Sequence, residues 1–392
     1  MYSALDIDLR PGHGFGIFEI GTSLWTLLDI LRRQPNVYPQ IDIKYDPDTS
    51  ATTPIIVHIR PHLDLLFSGK QQRLHTICIR KLRDPNPPVT VQYKDNVLSS
   101  PDEVLRRVGV GRVFGPTYPG DELRYPGIWF SFDEDNIGDG LKVPKTGDRM
   151  QEVKRIIISR KDVDGKAHDA LDEVKECPAM AGELARAVIK VHDGVTLYFY
   201  PTASTKPLHV RLGETTAQDL SLDLGPPLRV HYKDDERMKI HAATEVDDGT
   251  GCGLSIQCSV LGTKSSADFY NYFQHGMDFL ISESTNVVIK IILHSNVAGS
   301  PLFQRYKRCN WELEGKPEDD EDDTPPRKRF FDRFETISHF LSPREPAPSM
   351  ALDRTAEEDN LNLPNATTHL HGYDGIILEA TDSSQVVSVT LF

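Results

Sequence analysis

Cysteine is scarce in this sequence of 392 residues, which has five cysteines, at positions 78, 177, 252, 258 and 309. No two are separated by the two residues typical of redox and zinc motifs, so the sequence predicts reduced thiols. Long apolar runs are also missing, because no stretch approaches the roughly 18 residues of a membrane-spanning helix. The first residues, MYSALDIDLR, lack the basic and apolar regions of a secretory signal. We therefore expect a soluble intracellular protein.

Basic residues are fewer than acidic residues in this chain. The chain has 44 lysines and arginines against 58 acidic residues, a formal net charge of −14. Nucleic acids and anionic membranes are polyanions, so this balance argues against general binding to either of them and leaves room only for a local basic patch. With 39% hydrophobic residues the chain can form a core, and its length suggests two or three domains or an array of repeats.

Motifs that carry chemistry are missing as well. The glycines at 12, 14 and 16 precede a strand-like segment, whereas a dinucleotide-binding loop follows a strand and opens a helix. The sequence has no Walker lysine motif and no G-x-S-x-G elbow. No spacing places a nucleophile beside a base or pairs two carboxylates. We therefore predict no enzymatic activity and no cofactor, although a site assembled from distant residues stays open.

What the sequence does contain is a recurring pattern of helix and hairpin. Leucine, isoleucine and valine recur at spacings of three and four in four short segments, which predicts amphipathic helices over 22–33, 99–108, 214–224 and 332–341. Alternating apolar residues around a short turn follow each segment and indicate antiparallel hairpins. The last strand of the final hairpin is VVSVTLF at 386–392, which we expect to be paired in a sheet.

This pattern predicts an α+β fold of repeated units, each with one helix and a short antiparallel meander or hairpin, packed together. The segment from Leu224 to Pro227, followed by a strand, resembles the helix-then-meander unit of the bacterial BamE-like fold. The predicted organisation is a first unit over 1–98, a second over 99–160, a connecting hairpin region over 161–213, a third unit over 214–315, an acidic disordered loop over 316–328 and a fourth unit over 329–392.

Several segments together resemble a known family. They are FGPTYPG (114–120), RVHYKDDERMKIH (229–241), DFYNYFQHGMDFLIS (268–282), VVIKIILHSN (287–296), RYKRCNWEL (305–313) and the C-terminal VVSVTLF. In this order they are similar to the phagosome (phagophore) assembly factor family, and the resemblance covers nearly the whole chain. It is diffuse over 133–213 and 316–372.

The resemblance implies a non-enzymatic autophagy factor in the cytoplasm, recruited to the phagophore (preautophagosomal) assembly site. Members of the family form a complex with a WD-repeat β-propeller protein of the breast-carcinoma-amplified-sequence type. Phosphoinositides recruit that complex, and the propeller is a principal lipid contact. Two alternatives stay open: an adaptor in Golgi or endosomal vesicle traffic, and a hydrolase or transferase with a site between units.

Two basic clusters are candidate contacts for a partner or a phosphoinositide, because lysine and arginine bind phosphate oxygens. The first cluster comprises Tyr232, Lys233, Arg237, Lys239 and His241, and the second comprises Arg305, Lys307 and Arg308. The alternative for the first cluster is a solvated hairpin whose apolar and aromatic side chains pack inward.

Overall fold

β-Strands dominate the structure, a computed structural model that describes residues 5–38, 40–117, 122–132, 149–160, 174–233, 267–315, 325–342, 347–353 and 367–392. The first elements along the chain are β1 (Leu5–Asp8), β2 (Gly14–Phe15), β3 (Phe18–Glu19), α1 (Leu24–Arg32), β4 (Ile41–Lys44), β5 (Ile55–Ile59), β6 (Leu63–Phe67), β7 (Leu74–Arg80), β8 (Val89–Tyr93), β9 (Asn96–Ser99), α2 (Arg107–Phe114), β10 (Leu123–Tyr125), β11 (Ile128–Ser131) and β12 (Arg155–Ser159).

A short 3-10 helix at Pro178–Met180 precedes the remaining elements. These are β13 (Leu184–Lys190), β14 (Gly194–Phe199), β15 (Leu208–Arg211), α3 (Ala217–Asp223), β16 (Arg229–Lys233), β17 (Ala267–Tyr272), β18 (Met277–Ser282), β19 (Val288–His294), β20 (Trp311–Glu314), β21 (Arg327–Arg329), α4 (Phe334–Leu341), β22 (Ser349–Asp353), β23 (Thr367–Tyr373), β24 (Ile376–Thr381) and β25 (Val386–Leu391).

Two large antiparallel sheets form the frame. The seven-stranded sheet has the order β10-β11-β12-β7-β6-β5-β4, and the eight-stranded sheet has the order β16-β17-β18-β19-β25-β24-β23-β22. In each sheet two meanders join through their last strands, β7 with β12 and β19 with β25. Smaller sheets accompany them, with orders β1-β8-β9, β15-β14-β13-β20-β21 and β2-β3.

Alternation of apolar and polar residues explains why these segments are strands. In β5 the sequence IIVHI places buried residues at every second position, the pattern of a strand with one face on a core. Its Val57 lies opposite Leu65 of β6, which in turn lies opposite Ile77 of β7. All three side chains are completely buried, so the pairing register is fixed by one continuous apolar face.

The helices are short and are held by local capping and packing. Ser23 accepts a hydrogen bond from the backbone N–H of Thr26 at the start of α1, whose buried face consists of Leu24, Leu27, Leu28 and Leu31. Thr216 and Asp219 form a reciprocal capping box at the start of α3. None of the helices in the described part of the chain is both long and apolar enough to cross a bilayer.

The predicted fold class, an α+β fold of repeated BamE-like helix-plus-hairpin units, is wrong. The described residues contain four α-helices of seven to nine residues against strands in five sheets, so the protein is mostly β. Between 99 and 108, Glu103 instead closes a turn by donating its backbone N–H to Ser100 Oγ at 3.0 Å. The meanders also share continuous sheets through backbone hydrogen bonds rather than packing as separate units.

Two apolar cores correspond to the two large sheets. The first collects side chains from the seven-stranded and three-stranded sheets and from α1. The second collects side chains from the eight-stranded and five-stranded sheets and from α3 and α4. The unit boundaries proposed from the sequence stay a prediction, and residues 316–324 of the proposed acidic loop lie outside the described residues.

The expected pairing of the C-terminal segment is confirmed, because β25 lies between β19 and β24. Val389 of β25 is opposite Leu293 on one side and Leu378 on the other. All three side chains are fully buried. The last strand of the chain is therefore central in its sheet, not frayed.

We predict that deleting residues 386–392 abolishes soluble expression, because β19 and β24 would lose their shared partner and expose the second core. The measurement is the soluble yield, with circular dichroism on any soluble product. Removing only Phe392, which is 46% exposed, is the control and should leave the yield close to wild type. A truncated protein that is folded and monomeric would contradict the central role of β25.

Candidate functional site

Segment 295–310, between β19 and β20, contains a buried cation. Arg308 is 5% exposed, and its guanidinium donates to the carbonyl oxygens of Ser295 at 2.8 Å and Asn296 at 3.3 Å. It also donates to the carbonyls of Ala51 and Lys70, both at 3.2 Å, and to that of Gly69. Burial lowers the pKa of Arg308 to about 9, so it remains charged at neutral pH. One side chain thus joins the first core to the second.

A second buried cation, Lys307, belongs to an ion-pair cluster between the same two parts of the chain. Its Nζ lies 2.7 Å from Glu183 Oε1, and Arg73 pairs with the other oxygen of this carboxylate. Burial lowers the pKa of Lys307 to about 8, and the charge of Glu183 opposes that effect. Because both cations share this carboxylate partner, the cluster is an internal bridge between the residue before β13, the turn before β7 and segment 295–310.

Uncharged polar side chains complete this junction. Gln72 and Asn296 are both buried, and Asn296 Nδ2 donates to Gln72 Oε1 at 2.7 Å while Gln72 Nε2 donates to the Asn296 carbonyl at 2.9 Å. Gln385 accepts from the Ala51 backbone N–H at 2.9 Å and from Ser50 Oγ at 3.1 Å. Buried polar groups with satisfied partners specify one arrangement, so the junction fixes how the two cores meet.

Next to the junction, Asp278 accepts three hydrogen bonds from buried side chains. They come from Asn271 Nδ2 at 2.7 Å, His294 Nε2 at 2.9 Å and the Tyr306 hydroxyl at 2.7 Å. The rings of His294 and Tyr306 stack with centroids 3.7 Å apart. This network holds Tyr306 and thereby positions the start of segment 305–308.

An aspartate–histidine pair can also activate a nucleophile, but this one does not have that geometry. With Nε2 of His294 bonded to Asp278, the other ring nitrogen, Nδ1, is buried without a hydrogen-bond partner. Burial raises the pKa of the nearby Cys309 thiol well above its usual range. The arrangement therefore supports a structural role.

His275 is a half-buried titratable group in the turn between β17 and β18. Its ring makes an edge contact with Phe199, with centroids 5.7 Å apart, and its Nδ1 is buried without a hydrogen-bond partner. Burial, reinforced by the positive charge of Lys307, lowers the pKa of His275 to about 4. The imidazole is therefore neutral at pH 7, and charging it opposes folding.

The structure separates the members of the two predicted basic clusters. Lys307 and Arg308 have internal partners, whereas Arg305 is exposed, with its guanidinium 5.9 Å from the centroid of the Phe273 ring. Tyr232 and Lys233 belong to β16, an edge strand of the eight-stranded sheet. Three other members, Arg237, Lys239 and His241, lie outside the described residues. The assignment of these residues as contacts stays a prediction.

Arg305 belongs to a surface that the sequence analysis did not identify. Trp25 Nε1 of α1 donates to the Arg305 carbonyl at 3.1 Å, and Arg32 pairs with the side chain of Gln304. We call Trp25, Arg32, Phe273 and Arg305 the arginine–aromatic surface. The signal available in the sequence was Trp25, a large aromatic residue on α1 beside the buried leucine face. The sequence alone does not mark Trp25 as part of this surface, because its neighbours are about 250 or more residues away.

No group of three or more histidine, cysteine, aspartate or glutamate side chains among the residues that the structure describes is placed to hold a metal ion. The contacts at the junction are hydrogen bonds and ion pairs within the fold. Arginine and tryptophan are enriched among residues that dominate binding energies, so the arginine–aromatic surface is of a composition suited to contact with another molecule.

Comparison with known proteins gives consistent matches over the length of the chain. The model of a family described as Phagosome assembly factor 1 matches residues 14–392. A PHAF1 protein of Arabidopsis thaliana is 26% identical over 405 aligned residues, covering 98% of this chain and 92% of the relative. PHAF1 proteins of Caenorhabditis elegans (24%; 96% and 90% covered) and Drosophila melanogaster (22%; 99% and 94%) are similar over comparable lengths. No solved structure matches significantly.

We predict that Arg308→Met lowers the free energy of unfolding by about 3 kcal/mol or more, because it leaves several buried carbonyl oxygens without a donor. Urea denaturation followed by tryptophan fluorescence measures the change. The matched control is Arg305→Met at the exposed neighbour, which should change stability by no more than about 0.5 kcal/mol. Equal stability of the two variants would show that Arg308 does not hold the junction.

We also predict that stability falls as the pH is lowered from 6.5 to 4, the ordinary and folded pKa values of His275. In this window the unfolded chain binds a proton that the folded protein excludes, so acid favours unfolding, by on the order of 3 kcal/mol in all. His275→Phe should flatten this part of the pH profile, measured by urea midpoints at several pH values. An unchanged slope would assign the acid sensitivity to other groups.

Proposed function

The chain belongs to the Phagosome assembly factor 1 family, and from this premise we propose that it is a non-enzymatic component of autophagosome formation. The observation that carries the proposal is the family match over residues 14–392. In this role the protein is cytoplasmic and acts at the phagophore assembly site, as the resemblance of its segments implies.

Its binding partner in this proposal is a WD-repeat β-propeller protein. The arginine–aromatic surface supports a protein contact, because it combines exposed or half-buried arginine and aromatic side chains from α1, from the turn between β17 and β18 and from segment 295–310. The buried junction beneath it supports the same role. Arg308 and Lys307 hold that segment in place, so a partner would meet a preorganised surface and binding would cost less conformational entropy.

The first basic cluster, which includes Tyr232, Lys233, Arg237, Lys239 and His241, is a second proposed contact. It begins in β16, whose outer edge has no strand partner among the described residues. Phosphoinositides would recruit the assembled complex, with the propeller as the principal lipid contact and this cluster as an additional one.

The test is affinity purification from native cells with an N-terminal tag, which spares β25, followed by quantitative mass spectrometry. We expect a WD-repeat β-propeller protein in nearly equal amount. The variants Arg305→Glu and Lys233→Glu/Arg237→Glu/Lys239→Glu should each reduce the recovered propeller severalfold without lowering the melting temperature. Arg112→Glu, at another exposed arginine, is the matched control and should recover the wild-type amount.

Two results would contradict parts of this proposal. A clean preparation without a stoichiometric propeller would remove the partner. Wild-type recovery with both variants would remove the two surfaces as contacts and leave the partner in place.

A further inference from the structure

A basic cavity of about 580 Å³ lies along the seven-stranded sheet, from its edge strand β4 to its central strand β7. Its charged and polar lining comes from the end of β4, from β5 and the turn after it, from the end of β7 and from the loop before β8. The lining residues that matter are Lys44, His58, Arg60, Arg80, Lys81 and Asn86. The volume is in the range of about 300–1,000 Å³ in which proteins bind small molecules.

The charge of this cavity is of one sign. Four of its lining side chains are cationic, and no residue that lines it is acidic, although the chain as a whole carries a net charge of −14. Of the four, Arg60 pairs at 2.7 Å with Asp42, which does not line the cavity. Lys44 and Lys81 are exposed and have no ion-pair partner in the described part of the chain. Like charges brought together at a cavity repel one another, and an anion between them removes that repulsion.

Two buried nitrogen atoms at the cavity have no hydrogen-bond partner. Asp64, which does not line the cavity, holds His58 through Nδ1 at 2.7 Å and Arg80 through Nη2 at 2.9 Å. This leaves His58 Nε2 and Arg80 Nε buried and unpartnered. An unpaired buried donor is costly, so a small shift of the Arg80 side chain that turned this N–H toward an oxygen of a bound anion would be favourable.

Contacts within the fold hold the walls of the cavity in place. His62 is 2% exposed, and its Nε2 lies 2.9 Å from the carbonyl oxygen of Pro87, which ties together the two loops that border the cavity. The Arg60 backbone N–H donates to the Gln40 carbonyl at 3.1 Å. The cationic side chains therefore extend from a fixed frame, which lowers the entropic cost of binding.

We propose that this basic cavity binds a compact anion with several phosphate groups, of the inositol polyphosphate class, either free or as the headgroup of a membrane lipid. Lysine and arginine make charge-assisted hydrogen bonds to phosphate oxygens, and two lysines without a described ion-pair partner beside two ion-paired arginines offer donors for more than one phosphate. Apart from His58, no described residue that lines the cavity is aromatic. This argues against a nucleotide, whose base usually stacks on an aromatic ring.

The test uses the purified full-length chain, so it does not depend on the propeller partner. Binding of inositol hexakisphosphate is measured by isothermal titration calorimetry. Binding to phosphatidylcholine vesicles, with and without a phosphatidylinositol bisphosphate, is measured by co-sedimentation. We expect Lys44→Glu/Lys81→Glu to weaken binding about tenfold or more, because two charge-assisted contacts become repulsive. Both side chains are exposed, so the melting temperature should not change.

Lys206→Glu/Lys290→Glu makes the same change in net charge at two other exposed lysines and is the matched control. Binding to phosphoinositide vesicles that the cavity variant loses and the control keeps assigns a lipid headgroup. Selective loss of inositol hexakisphosphate binding, with no vesicle binding by wild type, assigns a free polyphosphate. Absence of binding to both probes, or equal weakening by the two variants, would overturn the proposal.

Discussion

The arrangement of the two large sheets depends on one buried cation. Arg308 lies among carbonyl oxygens from both parts of the chain, including those of Ala51 and Ser295. A guanidinium can donate in several directions from one plane, so a single side chain fixes the distance and the orientation of the backbone segments around it. Removing a charge from water is costly unless hydrogen bonds replace the solvent. An arrangement of the two sheets that moved these carbonyl oxygens away would leave the charge of Arg308 without hydrogen-bond partners. The junction therefore favours a single arrangement of the sheets.

The two sheets that this junction connects are built alike. In each, two antiparallel meanders meet at their last strands, β7 with β12 in one sheet and β19 with β25 in the other. Pairing at the last strands places the most apolar segments at the centre, where both edges of a strand are hydrogen bonded and one face lies on a core. The outer strands β16 and β22 are left at the edges of the eight-stranded sheet. The edges, rather than the centre, are therefore available to other molecules.

Local sequence patterns predict individual helices and hairpins, but they do not predict how the hairpins join into sheets. The segment 22–33 was predicted as a helix and contains α1, and the hairpin around residues 282–287 is formed by β18 and β19. The prediction of an α+β fold failed because periodicity identifies elements but not how strands of different meanders pair.

The candidate site likewise depends on contacts between residues that are far apart in the sequence. Arg308 and Ala51 are 257 positions apart in the sequence, so nothing local marks Arg308 as buried, and a basic run was interpreted as a surface.

In the part of the chain that the structure describes, cationic groups at the junction are compensated within the fold, whereas two lysines at the basic cavity are not. This difference distinguishes structural residues from the proposed binding residues. At the junction, Lys307 and Arg73 share the carboxylate of Glu183, and Arg308 is surrounded by carbonyl oxygens, so every positive charge has an internal partner. At the basic cavity, Asp42 pairs with Arg60 and Asp64 pairs with Arg80, while Lys44 and Lys81 have no ion-pair partner among the described residues. These two lysines leave a positive potential at the cavity that a molecule from solution can neutralise. That difference in compensation, rather than the number of basic residues, distinguishes a binding site from a structural bridge.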